Sequence, residues 1–525
     1  MRERAPNPAS PPVRPALLLL VAACLHLWGC GGPRAGVDRS PAASLPEAPA
    51  GARLAVLPFS NPAGDPGREY LVQGTHDRLV AELRRAGLAV VARSSVLRYA
   101  NRAVPEAAIA RELDADVLLD GGVRPSGDRL TIRVRILDPA DGSPAWDRTF
   151  SGRLGDVDAL QARVVRAVAG EVGTPIPPEA RARLDDAPAV DPEAYDAYLR
   201  GLFRARLFTL ADLDAALGDF DRALAADPSF APAWVGIARV RLLHPGARAP
   251  AGVEARADAA AGRAATPAAR REVALERALA LEPDLAEAHR VLADARAWTD
   301  WRLQAADTAY RRALALDPGE AETRIQYAHL LAILGRGPAA RELARSAVRL
   351  DPVNPFTRGL YGTVLYLTGD YATSIEALEP ILDAYPTAAF VRPPLAGAYE
   401  RLGRTAAALR VREEGARLAG DTAVAAALED GYRAGGYGEA ARHAADLLAA
   451  RAGEAGARVS PLRVARLYAS AGREDRALTW LARAVQVREA GAVELGVLPA
   501  LGGLHGSRAF AGLARRARVP VVTLP

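Results

Sequence analysis

The 525-residue sequence predicts a mainly α-helical chain, in which an N-terminal α/β domain is followed by a solenoid of helical hairpins. Two observations carry this. A proline recurs after a helix-ending step at Asp227-Pro228, Glu282-Pro283, Asp317-Pro318, Asp351-Pro352 and Tyr385-Pro386, and the last three intervals are 35, 34 and 34 residues. Between 53 and 174, by contrast, apolar residues pass from helical spacing to strict alternation, the pattern of a sheet with one wet face.

Composition bounds the rest. Half of the chain is hydrophobic and only 6% aromatic, so it is globular and leans towards helix. The formal charge is +5, but Arg2, Arg4 and Arg14 against Glu3 place +2 of that ahead of Gly29. The remainder is close to neutral and shows no basic stripe, which argues against nucleic acid as a partner. Every cation is arginine. The absence of lysine excludes a phosphate-loop lysine, a Schiff-base lysine and a Ser-x-x-Lys nucleophile pair.

The first thirty residues read as a leader. Three arginines precede the apolar run 16–29, which is too short to span a bilayer. The segment Leu27-Trp28-Gly29-Cys30 resembles a bacterial lipoprotein signal, which implies cleavage after residue 29 and acylation of the Cys30 thiol. Val21-Ala22-Ala23-Cys24 is the competing cut, but it would leave Leu25-His26-Leu27-Trp28 exposed after a shorter apolar run. Both cysteines lie in this leader, so a chain starting at Cys30 has no disulfide and no cysteine nucleophile. Residues 30–52, rich in Pro, Ala and Gly, read as a flexible tether. The body is expected to face the periplasm, anchored to the membrane through the acylated cysteine, with the outer membrane preferred.

Residues 53–174 read as the α/β domain. Strands are expected at 54–57, 88–92, 117–119, 130–136 and 146–150, the last two joined by the Asp141-Gly142 turn. Helices are expected over 69–86 and 105–113, and Asp156 is placed to cap a closing helix bearing Leu160, Val164, Val165 and Val168. Ala55-Val56-Leu57-Pro58-Phe59, Asn61, Gly64-Asp65-Pro66, Tyr70, Gly74 and Ala92-Arg93-Ser94-Ser95 then carry a resemblance. With Gly121-Gly122-Val123-Arg124, Gly127-Asp128, Leu137-Asp138, Gly142 and Trp146, this stretch resembles the TolB N-terminal-like domain. That resemblance implies an interaction module, found in relatives between a signalling output domain and repeats.

After a linker at 175–192, residues 193–490 read as about eight hairpins. Eight residues before the prolines stand Phe220, Leu275, Tyr310, Ala344 and Leu378; five before stand Ala223, Ala278, Ala313 and Ala347, with Ile381 the exception. Twelve before, Ala216, Ala306 and Ala340 hold the pattern, while Arg271 and Ser374 break it. Alanine lets paired helices approach, and the large residue fills the gap beside it. With Ala231-Pro232-Ala233-Trp234 and Tyr361-Gly362, the array resembles tetratricopeptide repeats, whose units cover each other's open apolar face. Residues 244–266 read as a loop insertion, and 491–525 as a segment capping the last open face.

Motifs that would carry chemistry are absent or out of place. Gly436-Tyr437-Gly438-Glu439-Ala440-Ala441 fits Gly-x-Gly-x-x-Ala, but no strand precedes it and it falls where other repeats turn. His76, His244, His289, His329, His443 and His505 show no metal spacing, and no nucleophile elbow occurs. The expectation is therefore a non-catalytic protein without metal or cofactor. What remains is a groove. Its first-helix positions are Arg239, Arg290, Asp294, Trp298, His329, Phe356, Tyr366, Phe390 and Arg401, residue types suited to holding a protein or peptide. An envelope scaffold is the favoured reading. The alternative is a sensory or regulatory component that binds a ligand or partner through the α/β domain, with its output domain on another chain.

Overall fold

A computed structural model describes residues 51–522, apart from 101–103, 187–188, 248–251, 253–265 and 455. The leader, Cys30, the tether and most of the 244–266 insertion lie outside the described residues.

Five strands form one sheet: β1 (Arg53–Val56), β2 (Ala89–Val90), β3 (Val117–Ser126), β4 (Arg129–Leu137) and β5 (Pro144–Arg153), in the order β2-β1-β3-β4-β5. β1 runs parallel to β2 and β3, whereas β3, β4 and β5 are antiparallel neighbours. The helices here are α1 (Glu69–Arg85), the single turn α2 (Arg93–Val96), α3 (Glu106–Leu113), α4 (Val157–Glu171) and α5 (Pro178–Asp185). Leu79, Val80 and Leu83 of α1 and Leu160, Val164 and Val168 of α4 share a core with Leu130, Ile132 and Val134 of β4. On the other face Ala55, Leu57, Val91 and Leu118 pack against Val96, Ile109 and Leu113.

Two local expectations are corrected. The third strand does not stop at Leu119 but continues through Gly121 and Gly122. The glycines are needed because the chain after β1 crosses them: a Cβ on Gly121 would lie 2.7 Å from the Phe59 ring, and one on Gly122 2.7 Å from the Ser60 hydroxyl. Asp156 precedes α4 but makes no capping hydrogen bond, since a 3-10 turn over Leu154–Asp156 leads into the helix instead.

The rest is a helical array. Among the described residues eight hairpins follow: α6 (Pro192–Ala205) with α7 (Leu210–Ala226), α8 (Ala231–Leu243) with α9 (Pro267–Leu281), α10 (Ala286–Asp294) with α11 (Leu303–Leu316), and α12 (Ala321–Ile333) with α13 (Gly337–Leu350). They continue with α14 (Pro355–Leu367) and α15 (Tyr371–Ala384), α16 (Arg392–Arg401) and α17 (Thr405–Leu418), α18 (Thr422–Gly435) and α19 (Tyr437–Arg451), then α20 (Pro461–Ser470) and α21 (Glu474–Gln486). Each hairpin also packs against the next, which makes this a solenoid of stacked helical hairpins.

Small-against-large contacts hold it. The Phe220 ring is wedged so that a Cβ on Gly201 of its own hairpin, or on Gly236 of the next, would lie 2.6 Å away. Gly362 stands in the same relation to Leu378 at 2.5 Å. The two polar residues that stand where alanine is expected twelve before the proline have partners: the Ser374 hydroxyl donates to the Gly362 carbonyl at 2.8 Å, and Arg271 reaches Asp300 at 2.9 Å.

The α/β domain lies against the turns between repeats. α1 packs on α6, and Asp77 of α1 is paired with Arg93 and Arg206. Burial works against the Asp77 charge, yet His76 and the two arginines hold its carboxyl well below the usual range. Farther along, Arg84 pairs with Asp317 at 2.9 Å. Asp351 accepts from four side chains: Oδ1 from Ser94 and Ser95 at 2.7 Å each, and Oδ2 from Asn354 at 2.7 Å and Thr357 at 2.6 Å. The acids that precede the repeat prolines thus anchor the sheet domain. Among the described residues Asp227, at the equivalent place in the first hairpin, has a side chain that accepts only from Ser229 in its own turn.

Asp351→Ala is expected to destabilise the chain by about 3 kcal/mol, since it orphans several buried donors. Asp227→Ala is expected to cost under about 1 kcal/mol. Denaturant unfolding of both variants checks this, and equal losses would contradict the anchoring role of the later turns.

Candidate functional site

The first helices of successive hairpins lie side by side and carry the groove positions, all nine of which were expected to be open. The structure divides them. Arg239, Phe356, Phe390 and Arg401 are accessible or half-buried, whereas Arg290, Asp294, Trp298, His329 and Tyr366 are buried. This corrects the expectation that all nine form one partner surface.

Four of the buried five form two groups, and Tyr366 lies apart from both. In the first, Arg290 Nη1 lies 2.9 Å from Asp294 Oδ2, and the Tyr310 hydroxyl donates to Asp294 Oδ1 at 2.6 Å. Burial lifts the Asp294 carboxyl to about 6, while Arg290 and Tyr310 pull it down. In the second, the Trp298 indole stacks on the His329 ring at 4.8 Å between centroids. His329 Nε2 then lies 3.0 Å from Oε1 of Glu494, a carboxylate only 1% exposed. Burial raises the Glu494 carboxyl above its ordinary value, with His329 and Arg466 opposing. Tyr366 is packed under Gly397, where a Cβ would lie 2.6 Å from its hydroxyl oxygen.

Glu494 belongs to the C-terminal segment, and that segment fills the concave face. It packs against the last hairpin through α22 (Arg508–Ala517), as a cap would, but it also reaches far into the groove. The turn Ala490–Glu494 meets Ala295–Thr299, and Pro499–Gly506 meets α16 and α20. Val522 reaches Gly335 after α12, and its amide donates to the Gly496 carbonyl at 2.8 Å. Val493, Leu495, Val497, Leu498, Leu501 and Leu504 are all buried in the core of the later repeats. The physical reason is that a curved array leaves an apolar concave strip, and this segment supplies apolar surface to cover it. Sequence reasoning missed this contact. The available signal was a run of apolar residues interrupted by one acid, Glu494, longer than a terminal cap requires.

Four expected positions stay accessible. The Phe356 and Phe390 rings lie 6.1 Å apart, and the Arg401 guanidinium sits 5.7 Å over the Tyr371 ring. Arg239 pairs with Glu287 at 3.1 Å. His289 and His329 do not share a site: His289 Nε2 is 2.7 Å from the Pro283 carbonyl, whereas His329 faces Glu494. Among the described residues there is no group of three His, Cys, Asp or Glu that could hold a metal ion, and no helix long and apolar enough to cross a membrane. Two surface cavities among the described residues bear on function. One of about 380 Å³ lies between the sheet domain and α6, where the Arg200 guanidinium covers the Tyr70 ring at 5.0 Å. The other, of about 460 Å³, lies where the third hairpin meets the last.

No family model matches the chain. A putative adenylate cyclase 3 from Rhizobium meliloti (strain 1021) is 29% identical over 198 residues, covering 38% of this chain and 34% of that protein. The chain therefore spans about a third of the length of the curated relative it matches. Among solved structures, a thermophilic TPR protein from Thermus thermophilus is 20% identical and covers 39% of this chain and 98% of its own, with a TM-score of 0.29. PilF of Pseudomonas aeruginosa is 19% identical over 51% of this chain and 95% of its own, at 0.30. A tetratricopeptide repeat protein from Parabacteroides merdae is 11% identical over 62% and 99%, at 0.33.

The C-terminal segment carries an acid-sensitive group. His505 is 3% exposed, its ring is stacked on Phe510 at 4.7 Å, and neither nitrogen has a hydrogen-bond partner among the described residues. Burial pushes its pKa down to about 3, so the folded chain holds it neutral while the unfolded chain protonates near the ordinary value. The resulting stability is complete above about pH 6.5 and is lost as pH falls, by roughly 3 kcal/mol on reaching about pH 4. Denaturation at pH 7 and pH 4 should show this component in the wild-type chain and not in His505→Leu. An unchanged acid response in the variant would refute it.

Proposed function

We propose that this protein is a non-catalytic scaffold of the cell envelope, held at the membrane by an acylated Cys30, that binds proteins or peptides through its repeat array. The observation that carries the reading is the set of eight stacked hairpins with the Phe356–Phe390 pair and Arg401 left accessible on the first-helix side. Aromatic rings supply contact area at low entropy cost, and an arginine fork recognises carboxylates, which suits a peptide bearing apolar and acidic residues. The leader supports a position facing the periplasm, on the outer membrane in preference to the inner. The sheet domain, in its resemblance to the TolB N-terminal-like domain, is read as a second interaction module.

A sensory or regulatory role is the second reading, and one observation favours it. The cavity of about 380 Å³ between the sheet domain and α6 is lined by Tyr70, Asp196 and Arg200, polar groups able to orient a small ligand. In that reading the output domain sits on another chain.

Cys30→Ser is expected to move the protein from the membrane fraction to the soluble fraction, as judged by fractionation and by loss of metabolic lipid labelling. Labelling that persists would reassign the lipid site. For the scaffold itself, a partner recovered from solubilised membranes with the wild-type chain should bind Phe390→Ala and Arg401→Ala at least about tenfold more weakly. Undiminished affinity in both variants would remove the proposed face.

A further inference from the structure

Three helix ends meet at the cavity of about 460 Å³, and all three end in an unusual way. A helix commonly exits through one residue in the left-handed conformation, which glycine adopts without penalty. This chain follows that rule at Gly335, Gly369, Gly403, Gly420 and Gly472, with φ between 68° and 88°. Trp301, Arg488 and Arg518 take the same conformation at φ 56°, 51° and 57°, although each carries a Cβ that disfavours it. These are three of the five non-glycine residues with positive φ among the described residues, and all three line this one cavity. Backbone strain persists where a side chain is needed at that place.

The side chains make a cationic basin. The Arg488 guanidinium lies 5.0 Å over the Trp301 ring and donates to the Asp300 carbonyl at 2.9 Å. Arg516 and Arg518 complete the wall, exposed, their guanidinium groups with no ion pair or hydrogen bond among the described residues. The Asp300 carboxylate does not neutralise them, because Arg271 holds it at 2.9 Å and Arg296 at 3.2 Å. Trp301 itself follows a π-helical turn, Ala295–Thr299, a distortion that recurs at functional positions. What sets the place apart is that three arginines line one cavity of this volume.

We propose that this cavity binds a small oxyanion ligand, a molecule of metabolite size carrying phosphate or carboxylate groups, gripped by Arg488, Arg516 and Arg518. Guanidinium forks pair with either group through two parallel hydrogen bonds. A soluble metabolite and a lipid headgroup both present this chemistry. The site bridges the third hairpin and the C-terminal helix, so a bound ligand ties the segment that fills the groove to the array.

The test uses the full-length chain in uncharged detergent at low salt. Calorimetric titration with pyrophosphate and with citrate probes soluble ligands. Flotation with phosphatidylglycerol vesicles, against phosphatidylcholine vesicles, probes a headgroup. Arg518→Gly combined with Arg516→Gln should weaken binding at least tenfold, whereas Arg508→Gln, on the same helix outside the cavity, should leave it unchanged. Without ligand, Arg518→Gly alone should melt higher than the wild-type chain, because glycine relieves the strain; this separates loss of a site from loss of fold. Binding in either arm that the cavity variants abolish supports the site and identifies its source. No binding in any arm, or binding that the variants leave intact, overturns it.

Discussion

A carboxylate buried in the middle of an apolar groove shapes this molecule more than any other single contact. Glu494 is taken out of water against His329, whose other flank is the Trp298 ring, and with Arg466 acting on it from the eighth hairpin. A buried acid is destabilising unless it is met by a complementary group, so its position dictates where the surrounding chain must run. Once Glu494 faces His329, the apolar residues on either side of it enter the concave strip of the later repeats. The helix that follows is then carried to the third hairpin, and the cavity between them forms as a consequence.

The same logic governs the other end of the array. A turn between repeats needs a group that can hold its exposed amides, and an acid before the proline serves. In the first hairpin Asp227 does only this. In the third and fourth, Asp317 and Asp351 have a second task, receiving Arg84 and the Ser94 and Ser95 hydroxyls of the sheet domain. A local turn signal has become an interdomain contact with no change of residue type. The array is therefore held from two sides: the sheet domain along its turns and the C-terminal segment along its concave face.

The periodic features of the fold were legible in the sequence because periodicity is local. Proline spacing and the alternation of Ala223 with Phe220, or Ala313 with Tyr310, record contacts within one hairpin and its neighbour. The alternation of Leu130, Ile132, Val134 and Ile136 records one face of a strand. What was not legible depends on how the array curves. Whether His329 faces solvent or Glu494 is decided by a superhelical turn summed over several repeats, and no window of sequence contains that sum. The strand through Gly121 and Gly122 escaped for a similar reason, since the glycines are explained by Phe59 and Ser60, which arrive from elsewhere in the chain. The candidate site was accordingly half legible. The residues on the first helices were identified, but five of the nine are buried, His329 among them beneath a segment whose reach only three dimensions reveal.

The most direct measurement is a double-mutant cycle between His329→Ala and Glu494→Ala, followed by denaturant unfolding of the full chain. If the C-terminal segment is seated in the groove by this contact, the two losses will fail to add, with a coupling above about 1 kcal/mol. Additivity within about 0.3 kcal/mol would mean that the two groups do not meet, and the concave face would have to be regarded as open.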